Sequence, residues 1–304
     1  MKKPNFFIIG APKCGTTALS EYLRTHPNVF MCTPKEPHYF SPDFPTRGRT
    51  KWKIETLKRY VNLFQEATED HLAIGEASVF YLYSSIAPKS LYEFNPKAKI
   101  VIMIRNPVDL VYSYHSQMVY SSRETEKNFK KAWALQEERE QGIKIPVKCP
   151  NPEFLNYSSI GKLFKHIEKW LFFFPRNQVK IILFDEFKNN TEFIYKDALY
   201  FLGVNSDEKQ YFPIINSNKQ YRNQILGNFL NDPPPILLKL AGLSKKILSK
   251  DKLRIIKLLR KINQETVERK PLDPHFRNYL IEHFEQDINH LSKLLGKDLN
   301  SWYN

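Results

Sequence analysis

FFIIGAPKCGTTALSEYL, residues Phe6 to Leu23, decides the reading of this chain. Its apolar start predicts a short buried strand over Phe6 to Ile9, and the pattern after the turn predicts a helix starting near Thr17. A glycine-bounded turn between strand and helix leaves backbone N–H groups unpaired. With the helix dipole, those groups aim at one point and make an anion site, usually for phosphate. Gly10 and Gly15 bracket four residues, as in the opening of the nucleotide-binding pattern G-x-x-x-x-G-K-[ST]. The pattern then breaks. Thr16 stands where the phosphate-binding lysine belongs, and the lysine lies inside the loop as Lys13. Two hydroxyls, Thr16 and Thr17, follow the second glycine, and a cation rises from the loop's crest. This suits a doubly linked anion carrying no metal. The alternative is a plain glycine turn with a solvated Lys13.

Outward from this stretch, strands and helices alternate. Val29 to Met31 and Leu72 to Ile74 read as short strands, with a helix from about Thr56 to Glu66 between them and another beginning at Pro88 to Tyr92. Lys99 to Ile104 is a nearly unbroken apolar run, as expected of a parallel strand covered on both faces. It ends at Arg105-Asn106-Pro107, where the proline suits the first turn of a helix. Residues 123–150 read as a solvated helix and a loose loop. Ser159 to Phe173 carries apolar residues at helical spacing, and Val179 to Phe184 is a further buried strand closing on Asp185 and Glu186. The alternation predicts a three-layer, P-loop-like α/β domain with a central parallel sheet and its site at the carboxyl strand ends. Residues 1–304 are read as one domain, with a helix-rich part from about 223 to 304. Within that part, Pro233-Pro234-Pro235 reads as a hinge and Ile236 to Ile262 as a basic amphipathic stretch, with nine Lys and Arg against one Asp.

The 304 residues carry a net charge of +14, which suits an anionic ligand, nucleic acid or a membrane surface equally well. Three cysteines, Cys14, Cys32 and Cys149, have neither disulfide nor metal-ligand spacing. Cys14 reads as a small loop residue whose thiol pKa the positive surroundings can lower. The apolar run before Gly10 is too short for a signal peptide, and no stretch approaches the ~20 apolar residues of a membrane-spanning helix. The expectation is a cytoplasmic protein with no integral membrane segment. The sequence leaves its oligomeric state open.

Three stretches in order carry a resemblance: APKCGTTAL in the loop, EPHYF at Glu36 to Phe40, and IRNPVDLVYSYH at Ile104 to His115. They resemble the sulfotransferases that use 3′-phosphoadenosine 5′-phosphosulfate (PAPS), above all the heparan-sulfate-type enzymes and their bacterial relatives. The resemblance covers most of the chain and weakens over about Thr125 to Asn156 and Asn223 to Lys270. It implies PAPS as the sulfuryl donor, with no metal required and no metal-ligating residues. It implies a carbohydrate or small-molecule acceptor, and no nucleic acid. It implies that Lys13, Cys14, Gly15, Thr16 and Thr17 hold the donor's 5′ side and that Lys13 also stabilises the departing charge. Arg105 and Ser113 match the family's 3′-phosphate pair. The geometry supports them separately, since a strand-end guanidinium and a hydroxyl two helical turns on can face one ligand. Lys219 and Arg222 fall where relatives place a basic loop over the donor, although the glycines of that loop are missing. Glu36 matches the catalytic base, held extended by Pro34 and Pro37 with an ordinary carboxylate pKa near about 4.3, and His38 is its neighbour and competitor. One departure stands out. Heparan-type relatives carry a lysine in a K-T-P-S stretch, whereas this chain has Gly75-Glu76-Ala77-Ser78. Glu76 is either a second acid/base group or a buried strand-end charge.

Two other classes fit parts of the sequence. A P-loop kinase or NTPase would use the strand ending in Asp185-Glu186 to hold Mg²⁺, but the displaced Lys13 argues against it. A non-enzymatic basic binder of RNA or acidic membrane would rest on charge and on Ile236 to Ile262, and leaves the order of the three motifs unexplained.

Overall fold

Ile100 to Ile104 are wholly buried, as the unbroken apolar run requires, and they form the spine of β4 (Lys99–Ile104). In the computed structural model, which describes residues 2–45, 54–215, 219–222, 262–266 and 269–303, β4 pairs in parallel with two strands. One is β1 (Phe6–Gly10) and the other β5 (Val179–Leu183). On the far side of β1 lie β3 (Ala73–Ala77) and β2 (Val29–Met31), giving a parallel sheet in the order β2-β3-β1-β4-β5. Both faces of such a sheet must be covered, and the intervening helices do this. They are α1 (Thr16–Arg24), α2 (Leu57–Asn62), α3 (Ala87–Phe94) and α4 (Pro107–Tyr120). The predicted α/β class and central parallel sheet are what the structure has.

Local chemistry sets the helix boundaries. Thr56 caps α2 by accepting from the Arg59 N–H, and Asn106 caps α4 by accepting from the Val108 N–H at 2.9 Å, with Pro107 in the first turn. The amphipathic run at Ser159 to Phe173 proves to be two helices, α7 (Tyr157–Gly161) and α8 (Leu163–Phe173), broken at Lys162. Asp287 accepts from the Phe164 N–H there, supplying α8 with a cap from a distant residue.

Residues 123–150 hold helix followed by turns, as expected, but the helical part is not simply solvated. They contain α5 (Phe129–Ala134) and α6 (Gln136–Glu140), organised around a buried bidentate ion pair. Arg139 Nη1 and Nη2 reach the Glu124 carboxylate at 2.8 Å each, and the Tyr157 hydroxyl donates to it at 2.7 Å. Beyond β5 come α9 (Phe184–Asn189) and α10 (Thr191–Leu202), then a two-stranded antiparallel ribbon of β6 (Lys219–Tyr221) and β7 (Gln264–Thr266). Among the described residues after β7, α11 (Pro274–Leu295), capped by Asp273, packs on α4 and α8. Phe284 of α11 lies so close to Gly161 that a Cβ there would stand 2.3 Å from its ring. Pro233-Pro234-Pro235 and Ile236 to Lys261 of the basic stretch lie outside the described residues.

Candidate active site

The loop from Gly10 to Thr16 crosses the carboxyl edge of the sheet. Gly15 is the N-cap of α1 with φ 85°, and a Cβ there would press on the Phe184 ring at 3.1 Å, so glycine suits both the turn and the space. It has no side chain to cap α1, so the first-turn N–H groups face the edge without a side-chain acceptor. Lys13 sits at the crest with φ 65°, and its ammonium lies 3.5 Å from Gln117 Oε1 of α4. Thr16 is buried and Thr17 partly so.

Arg105, at the end of β4, lies against this loop. Its Nη1 donates to the Lys13 carbonyl at 3.5 Å, its Nη2 is 3.4 Å from Asp109 Oδ2, and its guanidinium covers the Phe184 ring at 4.9 Å. Ser113, two turns into α4, is buried, and its hydroxyl accepts from Arg269 Nη2 at 3.1 Å. Arg269 is placed by a cation–π contact with Tyr112 at 5.3 Å and by the Tyr112 hydroxyl, which donates to the carbonyl of Lys270 at 2.8 Å. Burial, then the charges of Arg269 and Arg105, push the Lys13 pKa down. Burial and Arg105 do the same to Arg269. Three cations crowd one edge, and the Nε atoms of Arg105 and Arg269 are buried with no hydrogen-bond partner among the described residues. An anion with several oxygens fits these unmatched donors.

The structure therefore brings Lys13, Arg105 and Ser113 together and adds Arg269, which sequence reasoning missed. Arg222 is elsewhere: it is exposed and paired with Glu265 at 3.3 Å. Lys219 lies in β6, whose backbone runs near α4. Arg269, a residue beyond β7, stands beside Ser113. Cys14 is also different from expectation. Wholly buried, with its Sγ 3.5 Å from the Pro12 carbonyl, its thiol is pushed up to about 12 by burial, which outweighs the nearby cations.

Glu36 stands over the end of β3, its N–H donating to the Ala77 carbonyl at 3.0 Å. Because β3 is the neighbour of β1, Glu36 shares the sheet edge with the loop carrying Lys13. Its backbone is not extended but left-handed, with φ 61°. Pro37 disfavours the right-handed helical region for the residue before it, and the bond to Ala77 selects the other turn. The carboxylate lies 3.1 Å from Lys35 Nζ and 3.5 Å from His38 Nε2. Burial alone would raise its pKa; Lys35 and the His38 hydrogen bond overcome that and hold the carboxyl below the usual carboxylate range. His38 is buried against Phe80 and Tyr81.

Glu76 turns inward from β3 and is fully buried. Tyr60, Tyr81 and Ser78 hydroxyls donate to it at 2.9, 2.8 and 2.6 Å. Glu186, one of the two acids that a Mg²⁺-dependent reading would use, is bound to Lys297 at 2.5 and 2.7 Å. A cleft of about 930 Å³ lies between α5, α7 and α11, lined in part by Trp133, Lys162, Tyr279 and His283. It shares no residue with the Lys13, Arg105 and Glu36 groups; the two unmatched guanidinium Nε atoms of Arg105 and Arg269 lie at the sheet edge instead.

A loop-held lysine, a strand-end arginine and a helix serine gather at the edge of a parallel sheet, and Glu36 lies over the neighbouring strand. The chain belongs to the sulfotransferase family: the model of the sulfotransferase domain matches residues 3–222. It is similar over its full length to a crystallised sulfotransferase from Alicyclobacillus acidocaldarius, with 30% identity, a TM-score of 0.72 and 100% of each chain covered. Among curated relatives, the bifunctional heparan sulfate N-deacetylase/N-sulfotransferase 3 of Homo sapiens is 27% identical over 313 residues. That match covers 98% of this chain and 31% of the relative. Carbohydrate sulfotransferase 15 of Mus musculus is 25% identical over 255 residues, covering 68% of this chain and 45% of the relative. The chain thus spans less than half of these relatives' lengths, 31% and 45%. Among the described residues, no helix is long and apolar enough to cross a membrane.

Proposed function

We propose that the protein transfers a sulfuryl group from PAPS to a hydroxyl or amine of a carbohydrate acceptor. The observation that carries this reading is the cluster of Lys13, Arg105 and Arg269 around Ser113, with guanidinium nitrogens buried and unmatched. A 3′-phosphate would satisfy Arg105, Arg269 and Ser113, while the first-turn N–H groups at Gly15 to Thr17 would hold the 5′-phosphate. The bound donor supplies the sulfuryl group and a phosphate leaving group. Lys13 then meets the negative charge that grows on the oxygen between sulfur and phosphorus, a preorganised contact worth about 3 kcal/mol or more. Glu36 accepts the proton that the acceptor oxygen or nitrogen loses as it bonds to sulfur.

The carbohydrate class rests on what the relatives' names state they act on. Glu76 faces the interior, so it gives the acceptor neither the cation of the heparan-type stretch nor a free anion. This supports a saccharide that is less acidic than heparan. Labelled sulfate from PAPS, offered to neutral and acidic saccharides, amino sugars and phenolic small molecules, tests the proposal. Labelling of saccharides is expected. Labelling of the phenols alone would overturn the acceptor class, and no transfer to any would overturn the reaction.

A further inference from the structure

We propose that Glu76 is a positioning residue of this active site: acting through Ser78 and Tyr81, its carboxylate sets the place of the Glu36–Phe40 loop. The inference rests on the reading of Glu36 as the base. Three contiguous bonds tie the loop to the sheet end. The N–H of Glu36 donates to Ala77 O, that of His38 to Ser78 Oγ at 3.1 Å, and that of Phe40 to the Tyr81 hydroxyl at 3.2 Å. Each of those two hydroxyls spends its own proton on Glu76, Ser78 on Oε2 and Tyr81 on Oε1. A hydroxyl has one proton to give, so a carboxylate behind it fixes its direction and leaves its lone pairs to the loop. The third donor, Tyr60, extends the same control, because its ring stacks on Tyr39 at 4.7 Å and 15°.

The arrangement matches the ionised form of Glu76, which can accept all three O–H groups; the acid form must itself donate and displaces one of them. The groups facing it are Tyr60 from α2, Ser78 and Tyr81 beyond β3, Cys32 after β2, and the charge of Glu36 across the loop. No cation contacts it among the described residues, and burial pushes its pKa up to about 7.

Amide hydrogen exchange, corrected for intrinsic rate, reads the loop without reference to catalysis. Tyr81→Phe and Ser78→Ala each remove one hydroxyl and leave the β1 and β4 amides as reporters of intact folding. Each is expected to raise exchange in the Glu36–Phe40 segment about tenfold. Glu76→Gln, whose side chain cannot accept all three O–H groups, is expected to raise exchange in the same segment. Native exchange in both hydroxyl variants, or native exchange in Glu76→Gln, would overturn the proposal. Turnover measured on the same variants separates the two readings. Raised exchange with lowered turnover and unchanged adenosine 3′,5′-bisphosphate binding supports both. Raised exchange with normal turnover keeps the role of Glu76 and removes Glu36 as the base.

Discussion

Arg269 Nη2 donates to Ser113 Oγ at 3.1 Å across 156 residues of chain, so a residue between β7 and α11 meets the helix that follows β4. Arg105 faces the same edge and, after burial, is the largest influence lowering the Arg269 pKa. Two guanidinium groups held this close repel each other until an anion joins them.

Binding should report that anion directly. Adenosine 3′,5′-bisphosphate is expected to bind at least about tenfold more tightly than AMP, as a charge-assisted contact is worth about 1.5–3 kcal/mol. By calorimetry, Arg105→Ala and Arg269→Ala should each remove most of that gap. Arg222→Ala, at an exposed pair with Glu265, should leave it intact. Equal affinity for the two nucleotides in the native protein would contradict the 3′-phosphate site.

The contrast between Arg222 and Arg269 shows where the sequence stops being legible. The strand–loop–helix at Phe6 to Leu23 and the strand at Lys99 to Ile104 could be read because burial there follows short-range apolar patterns. Arg105 and Ser113 were within reach for the same reason, being eight residues apart on one strand–helix unit. Arg269 depends on Tyr112 and on the Lys270 carbonyl, contacts that no local spacing announces. Glu124 and Arg139 sit in a charge-rich run that reads as solvated, yet each is buried because the other is its partner. The left-handed turn at Glu36 follows from a bond to Ala77, forty-one residues away, and a proline pair alone suggests an extended segment instead.

Lys13→Ala should lower turnover far more than it weakens binding of the desulfated product, because the charge it meets grows along the reaction path. Steady-state kinetics beside product calorimetry check this. A proportional fall in both would make Lys13 a binding residue only.

Glu124→Gln leaves the Arg139 guanidinium buried without its counter-charge, at a cost of about 3–5 kcal/mol in a denaturant titration. Burial pushes the Glu124 pKa up, but Arg139, the Glu126 N–H and Tyr157 overcome it, so the folded value lies below the ordinary one. Its stabilisation is therefore present above the unfolded pKa of about 4.3 and lost as pH falls through the folded value. The acid side of the native stability curve should be steeper than that of the variant.

Cys14 should resist alkylation. With the thiol pushed up to about 12 by burial, almost none is thiolate at neutral pH. Iodoacetamide treatment of the folded protein followed by mass spectrometry should leave Cys14 unmodified, and rapid labelling would contradict the buried assignment.

The most direct test of sulfuryl transfer with Glu36 as base is the rate of label transfer from PAPS by the native protein and by Glu36→Gln. Glutamine keeps the shape and removes the basicity, so turnover should fall by about 10²–10⁴-fold while adenosine 3′,5′-bisphosphate binding persists. Near-normal transfer by Glu36→Gln, with loss of transfer in His38→Ala, would contradict the assignment and move the base to His38.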